Sequence, residues 1–289
     1  MRRARPAVLG VAGVLLLALL WEGYKAVGPA GGVVVNGLTV LPRTSDLAMP
    51  HLWTMLARLG EPVTASGDGT PLWLAVVRAS AFTLGLSALG WLLGVVVGML
   101  LAMLMQRLRT AESALLPWIV LSQTVPLIAL APLVAGLGAQ LRLGDLRWEP
   151  WMSVVVIASY LAFFPVSVGA LRGLESPERA HVELMRSYAV GWWKTFFRLR
   201  LPASVPYLLP ALRLAAANAV IGTVVAEVSI GLRGGVGRMM LEYASAASGD
   251  PGKPWGPIFG AVVIGLVAAG VVALIGIALR RYRRAEVTA

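Results

Sequence analysis

From Ala79 to Met105 the chain carries no Asp, Glu, Lys or Arg, and the same is true from Ser113 to Leu141, from Pro150 to Leu171 and from Pro254 to Leu279. Stretches of this length and apolarity have few stable environments. A bilayer core about 30 Å thick takes up roughly 20 helical residues in one crossing. Lipid offers no partner for backbone N–H and C=O groups, so such a segment crosses as a helix that closes its hydrogen bonds internally. Composition agrees, with 58% hydrophobic and 13% charged residues where a soluble domain holds about a quarter charged.

Two further stretches complete the set. The run from Pro6 to Trp21 is short, but it extends from Ala7 to Val27 if Glu22 and Lys25 snorkel toward the headgroups. The segment from Val205 to Ile230 contains Arg213 and Glu227 and is otherwise apolar. The sequence therefore predicts an all-α, polytopic membrane helix bundle. Its six transmembrane helices fall near 7–27, 75–105, 113–137, 150–171, 205–230 and 256–280, in one transmembrane domain spanning 1–289, with a polar helix-turn-helix over 172–204. A rival reading makes the first stretch a secretory signal cut near Ala30, which leaves the termini on opposite sides.

Sidedness follows from the basic residues beside the spans. Arg2, Arg3 and Arg5, then Arg107 and Arg109, then the arginines and Lys194 of 172–200, then Arg280, Arg281, Arg283 and Arg284 fall on one side if the N-terminus is cytoplasmic. The other side is poorer in basic residues, and Trp21, Trp73, Trp148, Trp151 and Trp255 sit at its span ends, where an amphipathic ring suits the headgroup layer. Both termini are thus expected inside. The net charge of +11 is explained by topology and not by nucleic acid. Between Gly28 and Pro71, Leu52, Met55, Leu56 and Leu59 share one helical face, predicting a short interfacial helix.

Chemistry-bearing groups are sparse. There is no cysteine, hence no thiol site, and His51 and His181 fall on opposite sides of the predicted bilayer. A membrane-embedded enzyme needs convergent acid, base, nucleophile or metal ligands, and these are lacking. Gly90, Gly94, Gly98 and Ala102 recur every fourth residue, a small-residue face for close helix packing. Pro117, Pro126 and Pro132 interrupt the third span, with Gln123-Thr124 just before the middle one, and Phe163-Phe164-Pro165 suggests a kink in the fourth. Broken helices often line solute paths in transporters. Gln123, Pro126, Asn218 and Glu227 are therefore pathway candidates. Gln123 reads equally well as a buried amide bonded to a neighbouring helix, and Glu227 as an exposed or paired carboxylate near the outer end of its span. Arg213 is placed to snorkel or to hold the bundle to the 172–204 segment.

That segment carries Glu183-Leu184-Met185, then three residues, Ala189, nine residues, Leu199, one residue and Leu201-Pro202. Taken alone it reads as a basic connector or an amphipathic helix on anionic lipid. The spacing resembles the loop of ABC importer permeases, with Glu-Ala-Ala, three residues, Gly, nine residues, Ile, one residue and Leu-Pro, which docks on a separate ATPase. Leu184 and Met185 stand in place of two alanines. Ala189 stands in place of the glycine, so the turn is expected not to require a positive φ. Leu41-Pro42, Gln123-Thr124-Val125-Pro126, Ala131-Pro132, Ala211-Leu212-Arg213 and Val225-Ala226-Glu227 look like the nitrate, sulfonate and taurine group of these permeases, some of which import pyrimidine vitamin precursors or riboflavin. The likeness runs from about Leu41 to Arg284.

The resemblance implies a transporter subunit and not an enzyme, in a bacterial plasma membrane. No Gly-x-x-x-x-Gly-Lys-Ser/Thr phosphate cradle occurs. The resemblance accordingly puts ATP and Mg²⁺ on partner ATPase subunits and no cofactor on this chain. It further implies an extracytoplasmic solute-binding protein, a second copy of the chain and no nucleic acid. Glu183, Leu184, Met185, Ala189, Leu199, Leu201 and Pro202 would form the ATPase-coupling element, and the solute would be sulfonate-, nitrate- or taurine-like, or else a pyrimidine vitamin precursor or riboflavin. A membrane channel or structural assembly protein is the alternative of a different class.

Overall fold

Residues with no polar face along a helix leave lipid or other helices as their only neighbours, and that pattern sets the architecture. The computed structural model describes residues 5–64, 69–143 and 146–279. In chain order these form α1 (Arg5–Val27), a hairpin of β1 (Val33–Val35) and β2 (Leu38–Leu41), α2 (Leu52–Arg58) and α3 (Leu72–Arg107). Then come α4 (Arg109–Ser122), α5 (Leu127–Gln140), a minimal hairpin of β3 (Arg142–Leu143) and β4 (Leu146–Arg147), and α6 (Pro150–Glu175). The polar stretch gives α7 (Arg179–Ser187) and α8 (Trp192–Thr195), and a π-helical turn over Phe196–Arg200 leads into α9 (Leu201–Ile230), α10 (Val236–Ser245) and α11 (Trp255–Ala278). The basic residues expected at 2, 3 and 280–284, and the last residue of the sixth expected span, lie outside the described residues.

Among the described residues five helices are long and apolar enough to cross a bilayer: Val8–Val27, Leu72–Arg107, Pro150–Glu175, Trp192–Ile230 and Trp255–Ala278. The expected span at 113–137 is built differently. Helices α4 and α5, of 14 residues each, meet at a bend of 104°, and counted together as one broken span they bring the total to six. Pro126 explains the break. It has no N–H to give to the Ser122 carbonyl one turn back, and the Tyr160 hydroxyl of α6 donates to that carbonyl.

By their contacts the residues fall into two compact units, Met1–Arg78 with Met239–Gly260 and Ala79–Arg238 with Ala261–Ala289. In the first, Lys25 and Glu22 at the end of α1 do not snorkel as the sequence suggested. Lys25 is 6% exposed, donating to the Thr44 and Met49 carbonyls and to the Asp46 carboxylate at 2.6 Å. Glu22 accepts from the Leu52 N–H at 2.8 Å and pairs with His51 Nδ1 at 2.8 Å. Burying an ammonium is costly unless its donors are matched, and three oxygens match them here. The same hydrogen bond from Lys25 holds the Asp46 carboxyl below its ordinary value. The predicted face of α2 is only partly inward: Met55 is buried and Leu56 exposed. The β1–β2 hairpin turns at Asn36-Gly37, both at positive φ, the tight-turn chemistry of a two-residue loop.

The second unit is organised on α6 and α9, whose Ala158, Ala162, Val166, Ala215 and Ala219 are fully buried. Small residues bring the backbones together: a Cβ on Gly173 would lie 2.9 Å from the Ser204 Cα. Helix α3 meets α6 through Gly94 and Gly98, where an added Cβ would fall 2.6 Å from the Ala162 Cβ and 2.7 Å from the Phe163 carbonyl, while Gly90 abuts Ala158. With lipid supplying no drive for association, such close packing is the main attraction between spans.

Candidate functional site: the 172–204 segment and the far end of α9

Helix α6 ends at Glu175, where Pro177 has no N–H to continue the ladder and the Ser176 N–H and hydroxyl both donate to the Gly173 carbonyl. Helix α7 is short and amphipathic, with Val182 and Met185 half-buried while Glu183 and Leu184 face out, Leu184 being 54% exposed. The chain then reverses at Ala189, whose φ is +54°. This corrects the expectation that the turn would avoid positive φ. The Ala189 N–H donates to the Arg186 carbonyl and the Val190 N–H to that of Met185. These two bonds close the end of α7 in the left-handed cap normally given to glycine, and the alanine is held there by them.

Beyond the turn, Trp192 and Trp193 open α8 and stack with Phe196 and Phe197. Leu199 lies in the π-helical turn, and Leu201-Pro202 starts α9, proline being tolerated in a first turn. Arg200 donates to the Leu174 carbonyl at 2.7 Å, fastening this stretch to the end of α6. The helical run is continuous from Trp192 to Ile230, so the expected fifth span is an extension of the polar segment itself.

A cleft opens beside this segment, lined by Arg107, Arg109, Arg179, Arg186 and Arg200 with the carboxylates of Glu175 and Glu183. The Arg107 guanidinium lies 5.1 Å from the centre of the Trp192 ring. Among the described residues no hydrogen bond or ion pair engages the Glu183 carboxylate, and Tyr188, Trp193 and Phe197 are all more than half exposed, Tyr188 reaching 75%. The segment thus presents charged and large apolar groups together on one short hairpin.

The pathway candidates are not gathered at one place. Gln123 caps the end of α4 at the break and donates to the Ser122 hydroxyl, and Pro126 is the N-cap of α5 and exposed. Asn218 donates from Nδ2 to the Leu161 carbonyl at 3.2 Å, bonding α9 to α6. Arg213 is exposed. Glu227 is fully buried, and its carboxyl group accepts from the Thr83 hydroxyl at 2.8 Å and the Gly237 N–H at 2.8 Å. The Glu227 carboxyl group is thus buried and hydrogen-bonded and not exposed. Sequence reasoning missed Thr83 and Tyr160. Thr83 carried a weak signal, as one of three hydroxyl side chains, with Ser80 and Ser87, in the apolar run of α3.

Similarity to known proteins runs along most of the chain. It is 29% identical over 271 residues to the formylaminopyrimidine transport permease protein ThiX of Halalkalibacterium halodurans, covering 92% of each chain. It is 27% identical to SsuC of Bacillus subtilis, described as an aliphatic sulfonates transport permease protein, over 80% of this chain and 73% of the other. In fold it is similar to a crystal structure of an amino acid ABC transporter, with a TM-score of 0.54 at 18% identity, covering 72% of this chain and 94% of that one. Residues 94–285 match the family of binding-protein-dependent transport system inner membrane components, and the chain belongs to that family, as a membrane permease of the ABC importer type.

Proposed function

We propose that the chain forms the solute path of an ATP-driven importer and that residues 172–204 are its docking and coupling element for a partner ATPase. One observation carries this reading. The hairpin of α7 and α8 exposes Leu184, Tyr188, Trp193 and Phe197 beside the exposed Glu183, and exposed apolar groups rimmed by charge mark a protein contact surface. The spacing from Glu183 to Pro202 and the family match support the same reading. ATP-driven closure of the partner subunits would draw the hairpins of two copies of this chain together. Because the helix from Trp192 runs unbroken to Ile230, the displacement would reach the opposite end of α9 and switch the bundle between its two access states. Residues 1–289 would act as one permease domain, with both termini and the hairpin cytoplasmic, as the arginine distribution favours. A solute-binding protein would deliver cargo on the other side.

For the solute, two classes have support of similar weight. Likeness to the formylaminopyrimidine permease along 92% of the chain favours a pyrimidine vitamin precursor, and likeness to the sulfonate permease favours a small sulfonate. Uptake by the reconstituted assembly with each class of labelled solute separates them. For coupling, Glu183→Ala is expected to lower solute-stimulated ATP hydrolysis and uptake together about tenfold, the scale of one lost charge-assisted interface contact, with membrane insertion unchanged. Unaltered stimulation in a complex that still copurifies with its ATPase would rule out the coupling role.

A further inference from the structure

Glu227 is an ionisable residue within a span, buried completely, and its bonds reach α3, α10 and the loop after α9. Its carboxyl group receives the Thr83 hydroxyl of α3 and the Gly237 N–H of the first turn of α10. Thr83 Oγ1 in turn accepts the Val236 N–H at 2.9 Å. The main-chain carbonyl of Glu227 accepts the N–H groups of Gly231 and Leu232 at 3.0 and 3.1 Å, so the same residue also starts the loop that follows α9. That loop is shaped to the carboxyl group. Gly231 turns the chain at φ +76° and Gly234 at φ +98°, and a side chain on Gly235 would occupy the space of the Glu227 carboxylate.

A buried carboxyl group is costly unless its oxygens are satisfied. The expense is matched only while α3, α9 and the 231–237 loop keep this one arrangement. Removing Thr83 leaves a carboxyl oxygen and the Val236 N–H open, and removing Glu227 leaves the Gly237 N–H open.

We propose that Glu227 and Thr83 form a latch that fixes the 231–237 loop and the start of α10 to α9, so that a displacement of α9 moves the loop with it. Glu227 is a positioning residue in this scheme, and the transmission of the displacement rests on the transport reading above, whereas the latch itself does not. The helix between the polar segment and the latch is continuous, so the loop is the far terminus of the path along which the 172–204 hairpin would act.

The natural absence of cysteine permits a direct test in the full reconstituted assembly. Val236 is fully buried, and Val236→Cys places a single thiol under the latch, while Val166→Cys supplies a control thiol buried in the core of the same unit. Modification of Cys at 236 by a soluble maleimide is expected to be slow with the latch intact. It should rise about tenfold or more in Thr83→Val or Glu227→Leu, the local opening expected when bonds to a buried carboxyl are lost. Thr83→Ser keeps the hydroxyl, and in Glu227→Gln the single oxygen accepts the Gly237 N–H while the amide donates to Thr83 Oγ1, so both should remain slow. The control thiol should stay slow throughout, and Glu227→Leu should hydrolyse ATP yet import poorly. An unchanged rate at 236 in both disruptive variants, or a parallel rise at 166, overturns the latch. Slow-to-fast switching at 236 with normal import overturns its role in transmission. If Glu183→Ala leaves coupling intact while the labelling pattern appears as stated, the docking assignment fails and the latch stands.

Discussion

Alanine at φ +54° sits in a region where its Cβ crowds the carbonyl oxygen, at a cost of roughly 1–2 kcal/mol that glycine does not meet. Ala189 occupies that region between α7 and α8. Ala189→Gly should therefore stabilise the turn by about 1 kcal/mol, less the extra backbone entropy of glycine, and slow limited proteolysis between 187 and 191. Ala189→Val should do the opposite, and a faster cleavage of the glycine variant would show that the turn is not under this strain. The residue scale is also where sequence is least sufficient. An alanine in a glycine position suggested that the turn had changed, because residue identity reports which conformations are easy, whereas the two hydrogen bonds closing α7 decide which is adopted. Lys25 was misread in the same way: a lone ammonium at a span end reads as snorkelling until three acceptors brought from residues 44–49 are seen around it. By contrast Asn36-Gly37 between Val33-Val34-Val35 and Leu38-Thr39-Val40 was a readable hairpin signal that periodicity alone passed over.

Helix α4 gives way to α5 because one carbonyl loses its donor. Tyr160 supplies the replacement from 38 residues away, so Tyr160→Phe should leave the Ser122 carbonyl with only the long bond from the Val125 N–H at 3.4 Å and destabilise the protein by about 1 kcal/mol. Thermal unfolding of the purified membrane protein checks this, and a variant as stable as the parent would mean that the Ser122 carbonyl needs no side-chain donor. Of the three prolines expected to interrupt the third span only Pro126 breaks it, Pro117 and Pro132 lying within α4 and α5, whereas the limits of α3, α6 and α11 were legible to within a few residues, since uninterrupted apolarity leaves few choices. The bend of 104° was not, because its direction is fixed by a partner on another helix. The small-residue face of α3 was legible as a packing surface, but only the structure names α6 as what it packs against. The union of the 172–204 segment with α9 was hidden for a related reason: charges and aromatic residues mask a helix that continues straight through them.

Over the molecule as a whole, the class of fold follows from the charge-free runs and the family from the order of weak motifs along the chain, neither of which depends on long-range contacts. The far end of α9 depends on them, since Thr83, Val236 and Glu227 come from positions up to 153 residues apart, whereas the turn of the 172–204 hairpin is closed by near neighbours in sequence. A consequence attaches to the unbroken helix from Trp192 to Ile230. Its two ends share one screw, because each residue added between them turns one end about 100° against the other and lengthens the rod by about 1.5 Å. Arg200 is engaged at one end, with Leu174, and Glu227 at the other, with Thr83. One alanine inserted between 219 and 220 should leave apolarity and membrane insertion intact yet abolish uptake, since both grips cannot then be in phase. Compensating deletion of one residue within the same helix should recover it. Retained uptake in the insertion variant alone would show that the two ends work independently. With both grips on a single rod, its phase would count for more than any one side chain along it.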